Sequence, residues 1–271
     1  MWSWKISPAL ATGNTIVMKP SELTPLSAIR MCAIMKEVGI PDGVFNLVTG
    51  YGTTVGKAIT SHMKIEKVAF TGSTLIGRKV MEAAAKSNLK NITLELGGKS
   101  PTIIFDDADL DEAVKWAAHG ILSVVFLTLL YVISDKFAIS FNHGQTCSAG
   151  SRIFVQSGIY GQFLEGFTAR ARGIKLGDPF TPGTHQGPQI SQMQYDRIMG
   201  YIQSGKEDGA TCHLGGDRFG TEGFFINPTI FTDVKSEMRI VREEIFGPVA
   251  VIIRFETEDG WSWIRFLREQ D

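Results

Sequence analysis

The stretch Lys67-Val68-Ala69-Phe70-Thr71-Gly72-Ser73-Thr74-Leu75-Ile76-Gly77 joins a short β-prone run to the start of a helix through one glycine and one serine. Lys67-Val68-Ala69-Phe70 predicts a strand, residues 76–86 a helix, and Ile92-Thr93-Leu94-Glu95-Leu96 the next strand. Parallel neighbours need a long crossover, so strand, helix, strand is the repeating unit of a parallel sheet. Gly72 lets a ligand approach the backbone closely, and Ser73 places a hydroxyl where a helix start concentrates its free amide donors. A phosphate fits such a turn, although the G-x-G-x-x-G spacing of the common dinucleotide fingerprint is absent.

The same alternation continues on both sides. Upstream, Thr15-Ile16-Val17-Met18 is a β-rich run stopped at Lys19-Pro20. Thr24-Pro25 then predicts a helix start, with Thr24 as cap and Pro25 at the first helical position, running to Val38 and ending at Gly39. Phe45-Asn46-Leu47-Val48 is a further strand, followed by glycines and a helix over 54–61. Downstream, Thr102-Ile103-Ile104-Phe105 precedes a helix from Asp109, whose Asp111 and Glu112 suit the positive end of the helix dipole. Strands at 151–155, 228–231 and 249–253 and helices at 159–172 and 191–207 complete the pattern. The fold class is α/β, a parallel sheet covered on both faces, with a boundary near Gly97-Gly98.

Composition narrows the function classes. A net charge of -1 leaves no basic excess to neutralise phosphates, so no nucleic-acid partner is expected. Cys32, Cys147 and Cys212 are too few and too scattered for a disulfide framework or a zinc site, so no metal is expected, and reduced thiols point to an intracellular compartment. The N-terminus, Met1-Trp2-Ser3-Trp4-Lys5, lacks the parts of a secretory signal. Residues 121–133 are almost wholly apolar but shorter than the roughly 18 residues of a membrane span, so membrane attachment is a minor alternative.

Two segments carry chemistry. Leu94-Glu95-Leu96-Gly97-Gly98-Lys99-Ser100-Pro101 ends an apolar strand on a carboxylate, where two glycines permit a tight turn. Phe141-Asn142-His143-Gly144-Gln145-Thr146-Cys147-Ser148 sets one thiol among small residues. Together they supply a base and a nucleophile. Cys32 and Cys212 read as small buried hydrophobes. His143, one helical turn before Cys147, leaves a Cys-His hydrolase as an alternative.

Both segments closely resemble the two active-site signatures of the aldehyde dehydrogenase superfamily. The resemblance runs from Met1 to Leu122 and resumes from Phe141 to about Asp259. It implies a Rossmann-like cofactor domain over 1–97 and an α/β catalytic domain over 98–259, both incomplete, and a broad-specificity enzyme oxidising an aldehyde to a carboxylic acid with NAD. By the same resemblance, Cys147 forms a thiohemiacetal, hydride transfer leaves a thioester, and Glu95 activates the water that hydrolyses it. Lys5, in Trp4-Lys5-Ile6-Ser7-Pro8-Ala9-Leu10, matches a supporting lysine of the active-site region.

The cofactor residues that the resemblance implies are Lys19 and Glu22 on the adenosine ribose, and Gly52, Gly56 and Ser73 along the adenine and pyrophosphate. Phe70 and Gly97 lie nearby, and Glu244 and Phe246, in Glu243-Glu244-Ile245-Phe246-Gly247-Pro248, hold the nicotinamide ribose. Without it, Lys19 and Glu22 read as a solvated pair and Phe70 and Phe246 as core. A carboxylate beside a ribose accepts from a 2′-hydroxyl and repels a 2′-phosphate, so Glu22 favours NAD over NADP.

The resemblance also has gaps. Residues 123–140 and 260–271 depart from the family pattern and read as an insert and a tail foreign to it, such as translated intron. The upstream segment with the second oxyanion donor and much of the family's oligomerisation surface is expected to be missing, so homo-oligomer formation is not carried over. A catalytically impaired or non-enzymatic fragment of the same fold is therefore the rival reading. A small-molecule aldehyde is the expected partner. The expected compartment is the cytoplasm, or the mitochondrion if a targeting sequence precedes Met1.

Overall fold

The computed structural model describes residues 1–122 and 142–257. The apolar run from 123 onward, the stretch 123–140 and the tail 260–271 lie outside the described residues. The chain divides into two compact units, Met1–Gly97 and Gly98–Asp271.

The first unit begins with α1 (Trp2–Ala11), which carries Pro8 inside it. It continues through β1 (Ile16–Met18), α2 (Leu26–Glu37), β2 (Phe45–Leu47), α3 (Lys57–Ser61), β3 (Lys67–Thr71), α4 (Thr74–Ala85) and β4 (Asn91–Glu95). The strands pair in parallel as β1 with β2 and β3 with β4, in two separate two-stranded sheets rather than one continuous sheet. Thr24 does not cap α2. The chain turns at Ser21–Thr24, and Pro25 takes the N-cap place with no side-chain hydrogen bond. The expected helix over 54–61 is a π-helical turn, Gly52–Gly56, followed by α3. Gly39 ends α2 at φ +83°, the left-handed geometry that a side chain would resist.

The second unit holds β5 (Pro101–Ile104), α5 (Leu110–Leu122), β6 (Arg152–Gln156), α6 (Tyr160–Arg172), α7 (Gln192–Glu207), β7 (Thr211–Leu214), β8 (Thr229–Thr232), α8 (Arg239–Arg242) and β9 (Val249–Phe255). Its five strands form one sheet in the order β5-β6-β9-β8-β7, parallel except for the β7 edge, which runs antiparallel to β8. An antiparallel edge on an otherwise parallel sheet is a common variation. Asp109 caps α5 by accepting the Glu112 amide at 3.0 Å.

The core follows from this layering. One face of the sheet packs α5 and α6 through Val114, Ala117, Ile121, Phe163 and Phe167 against Ile153, Val155 and Ile252. A second cluster joins Ile198 and Ile202 of α7 to Phe231, Val249 and Val251. β6, β8 and the start of β9 are buried on both faces, as a parallel sheet with helices on each side requires.

Candidate active site

In the first unit the candidate residues gather at the carboxyl ends of the parallel strands, where open α/β sheets place their ligands. β4 ends on Glu95, which sits in register beside Thr71 at the end of β3. The Gly72 amide donates to the Glu95 carbonyl at 3.1 Å, so the backbone carrying the carboxylate is tied down while its side chain stays exposed. Lys5, from α1, donates to Thr71 Oγ1 at 2.6 Å. Burial lowers the Lys5 pKa, and the Glu95 carboxylate opposes that shift. The structure thus brings Lys5, Thr71 and Glu95 together.

Beyond β1, the Lys19 ammonium donates to the Pro20 carbonyl at 2.6 Å, the Gly50 carbonyl at 2.9 Å and Glu22 Oε2 at 3.1 Å. Those three acceptors use all three of its protons. Glu22 keeps an exposed carboxylate, and its pKa is lowered first by a backbone hydrogen bond and then by Lys19. Gly52 and Gly56 bound the π-helical turn with open space where a Cβ would lie. Ser73 caps α4, accepting the Ile76 amide at 3.4 Å. Phe70 folds its ring over Gly72, leaving no room there for a side chain.

In the second unit Cys147 lies half-buried in the loop between α5 and β6. Asn142, His143 and Gly144 are all left-handed, at φ +23°, +52° and +72°, a costly run for the first two. Side-chain hydrogen bonds hold it. Asn142 Nδ2 donates to Thr146 Oγ1 at 3.0 Å, Gln145 Nε2 to the Asn142 carbonyl at 2.9 Å, and the Ile190 amide to Gln145 Oε1 at 3.1 Å. Among the described residues the Cys147 amide donates to no protein acceptor.

His143 does not serve the thiol. Its Nε2 accepts the Gly187 amide at 3.0 Å, and burial pushes its pKa down to about 4, so the ring is a neutral acceptor in the packing.

A Cβ on Gly144 would collide with the Gly247 carbonyl oxygen, so the thiol loop rests directly on the Phe246-Gly247-Pro248 backbone. That second segment is also strained, with Phe246 at φ +61°. Glu244 Oε1 accepts the Gly98 amide at 3.3 Å. Cys147, Glu244 and Phe246 therefore share one neighbourhood, built from the α5–β6 loop, the turn before β5 and the segment before β9. Among the described residues no group of His, Cys, Asp and Glu side chains is arranged to hold a metal ion. No described helix is long and apolar enough to cross a membrane.

The family model described as "Aldehyde dehydrogenase family" matches residues 1–125 and 132–262. The chain belongs to the aldehyde dehydrogenase family. It is 64% identical over 265 residues to an aldehyde dehydrogenase of Agaricus bisporus, covering 98% of this chain and 49% of that protein. It is 52% identical over 259 residues to human retinal dehydrogenase 2, covering 96% and 46% respectively. Among solved structures, an NAD+ complex of aldehyde dehydrogenase from Bacillus cereus superposes with a TM-score of 0.86 at 46% identity, covering 96% of this chain and 49% of that one. Betaine aldehyde dehydrogenase from Staphylococcus aureus, also in complex with NAD+, gives 0.85 at 44%, covering 96% and 48%. The chain spans about half the length of the relatives it matches.

Three residues around this site had no signal in the sequence. Gln194, in the first turn of α7, donates through Nε2 to the Ile245 and Phe246 carbonyls at 3.2 and 3.1 Å. Arg197, one turn on, donates to the Glu244 carbonyl at 3.3 Å. Together they pin the segment that carries Glu244 and Phe246. Lys99 is buried. On the sequence the first two are ordinary polar residues of a helix surface, and nothing about Gly-Gly-Lys-Ser-Pro announces a buried lysine.

Proposed function

We propose that this chain carries the chemistry of an NAD-dependent aldehyde dehydrogenase, with Cys147 as nucleophile, Glu95 as general base and Lys5 in support. The observation that carries the reading is the thiol loop seated through Gly144 on the segment that presents Glu244 and Phe246. Family membership and the NAD+ complexes of its structural neighbours support it.

The residues fit a dinucleotide. Glu22 and Glu244 each keep acceptor oxygens for a ribose diol, Glu22 beside Lys19 and a backbone hydrogen bond, Glu244 beside the Gly98 amide. Ser73 and the start of α4 offer donors for a pyrophosphate, and the bare Gly52–Gly56 turn admits a flat ring. Gly97 precedes the Gly98 amide that holds Glu244. A carboxylate at Glu22 selects against a 2′-phosphate, so NAD is preferred.

When bound, the nicotinamide supplies the hydride acceptor. The protein does the rest. The Cys147 sulfur bonds to the carbonyl carbon, moving the π electron pair onto oxygen, and the Cys147 amide donates to that oxyanion. Loss of the C–H hydrogen with its electron pair restores the carbonyl as a thioester. Glu95 takes a proton from water as the oxygen attacks; the C–S bond breaks, and acid and thiolate separate.

The decisive experiment does not need turnover. Treating the 271-residue chain with an aldehyde-mimicking electrophile and mapping the adducts should label Cys147 well before Cys32 and Cys212. Equal labelling of the three thiols, or preference for either of the others, would sink the assignment.

A further inference from the structure

The segment between α8 and β9 takes its shape from α7. Among the described residues no backbone amide donates to the carbonyls of Glu244, Ile245 or Phe246. Gln194 and Arg197 occupy those carbonyls instead. Tyr201, one turn further along the same face of α7, takes the side chain of the residue before them, its hydroxyl donating to Glu243 Oε2 at 2.7 Å. Side chains at helical spacing therefore grip residues 243–246 in succession, the segment running opposite to the helix.

Tyr201 is the buried member of this set, at 5% exposed. The guanidinium groups of Arg239 and Arg197 lie over its ring, 4.9 and 5.7 Å from the centroid. A phenol with a buried ring needs a partner for its hydroxyl, and here the partner is a carboxylate. Glu243 also accepts from Arg239 Nε and Nη2 at 3.3 Å each, and the bonds from Arg239 and Tyr201 lower its pKa. Its backbone is extended, at φ -98° and ψ 150°. On an extended backbone consecutive side chains point to opposite faces. With Glu243 tied to α7, Glu244 is turned away from the helix, and its Oε1 meets the Gly98 amide at 3.3 Å. Phe246, at φ +61°, holds a backbone conformation that persists only where the surroundings over-determine it.

We propose that Tyr201 is a positioning residue for the cofactor site: by latching Glu243 to α7, its hydroxyl sets the direction in which Glu244 presents its carboxylate to a ribose diol. This rests on the reading of Glu244 as a cofactor-binding residue. The hydroxyl acts through the segment and not on the ligand. A tyrosine kept for packing alone would be replaced by phenylalanine without consequence, because the ring fills the core. Glu243 would still have Arg239 and water, so the loss would be confined to the tie between α7 and the segment.

The test compares two ligands on the 271-residue chain: NADH, followed by its fluorescence, and AMP, which lacks the second ribose, followed by calorimetry. Tyr201→Phe should weaken NADH by about tenfold, the loss of one hydrogen bond to a charged group, and leave AMP unchanged. Glu243→Leu removes the acceptor from the other side and should match it; it carries the comparison should the phenylalanine variant not fold. Glu243→Gln keeps a neutral acceptor, whose bond is about half as strong, so the loss should shrink to about threefold. On a Glu244→Gln background, Tyr201→Phe should cost nothing further. Unchanged NADH binding, NADH and AMP weakened alike, Glu243→Gln no better than Glu243→Leu, or a full loss persisting beside Glu244→Gln each overturns the latch and leaves the cofactor site standing. Glu244→Gln binding NADH like the natural chain, or failure of either ligand to saturate the natural chain, instead overturns the site reading, and this inference with it.

Discussion

Ile16-Val17-Met18 of β1 and Val249-Ala250-Val251-Ile252 of β9 are both unbroken apolar runs, the pattern of a parallel strand covered on both faces. Yet Val17 is 47% exposed, whereas Val249 and Val251 are fully buried. The contrast holds for the units as wholes. Among the described residues of Met1–Gly97, the buried hydrophobic side chains are Ile6, Ala28, Val68, Val80 and Ala84, while Leu23, Leu26, Val38, Leu75, Met81 and Leu89 face solvent. The second unit seals Phe154, Phe163, Phe167 and Phe231 and a row of isoleucines. Among the described residues, the hydrophobic core clusters lie there. Strand composition says that a strand wants cover; it does not supply the cover. Two separate strand pairs with thin helical packing leave the first unit with little apolar area removed from water, which is the main term that holds a domain together.

The largest expected effect tests the better-packed side. Phe163→Ala should destabilise the second unit by about 3–5 kcal/mol, because Phe163 is wholly buried between α6 and the sheet. Denaturant unfolding should show its transition moving while amide exchange in the first unit stays as before. A transition in which both units shift together would mean that they unfold as one, and the contrast drawn here would lose its energetic meaning.

A second test uses pH. His143 has its folded pKa depressed to about 4 from the ordinary 6.5, because burial disfavours the charged ring. Below 6.5 the unfolded chain binds a proton that the folded chain refuses. The stability that His143 contributes is therefore complete above 6.5 and is lost as the pH falls through 4, on the order of 3 kcal/mol in all. His143→Gln keeps an acceptor for the Gly187 amide, so it should flatten the acid limb of the second unit's stability between pH 6.5 and 4. An unchanged acid limb in that variant would put the acid sensitivity elsewhere.

The smallest effect belongs to the thinly packed side. Leu26 is 78% exposed, so Leu26→Lys should change unfolding free energy by no more than about 0.5 kcal/mol while raising the concentration at which the chain stays dispersed. Light scattering and denaturant titration on the same samples check both halves. A loss above about 2 kcal/mol would show that Leu26 is covered in solution, and would sharpen the comparison by revealing a partner surface.

Most strands and helices were legible because their residues are locally consistent: a β-branched run, a proline or glycine stop, a serine before a helix. Ser73 and Ser191, read as a phosphate donor and as the first helical residue, both cap their helices. The exceptions have physical causes. α1 is hidden by Pro8, which reads as a break although the helix tolerates it. β7 is an edge strand of mixed polarity, Thr211-Cys212-His213-Leu214, with no periodicity strong enough to declare it. Thr24 loses its cap because the turn at Ser21–Thr24 closes first. In the candidate site, Cys147, Glu95, Glu244 and Phe246 were named from motif wording alone. The roles of Gln194 and Arg197 in holding the segment are contacts between residues some fifty positions apart, and no local pattern encodes those.

The order of amino acids by itself determined the α/β class, the membership of the aldehyde dehydrogenase family and the residue types available for chemistry, because each depends on local propensity or on short motifs. Tertiary structure alone decided which unit acquired a dry core, that His143 is a packed neutral ring, and that Lys99 is shut away from water. Burial and electrostatic environment are set by whichever distant segments close over a side chain, and a linear sequence does not state who those neighbours are.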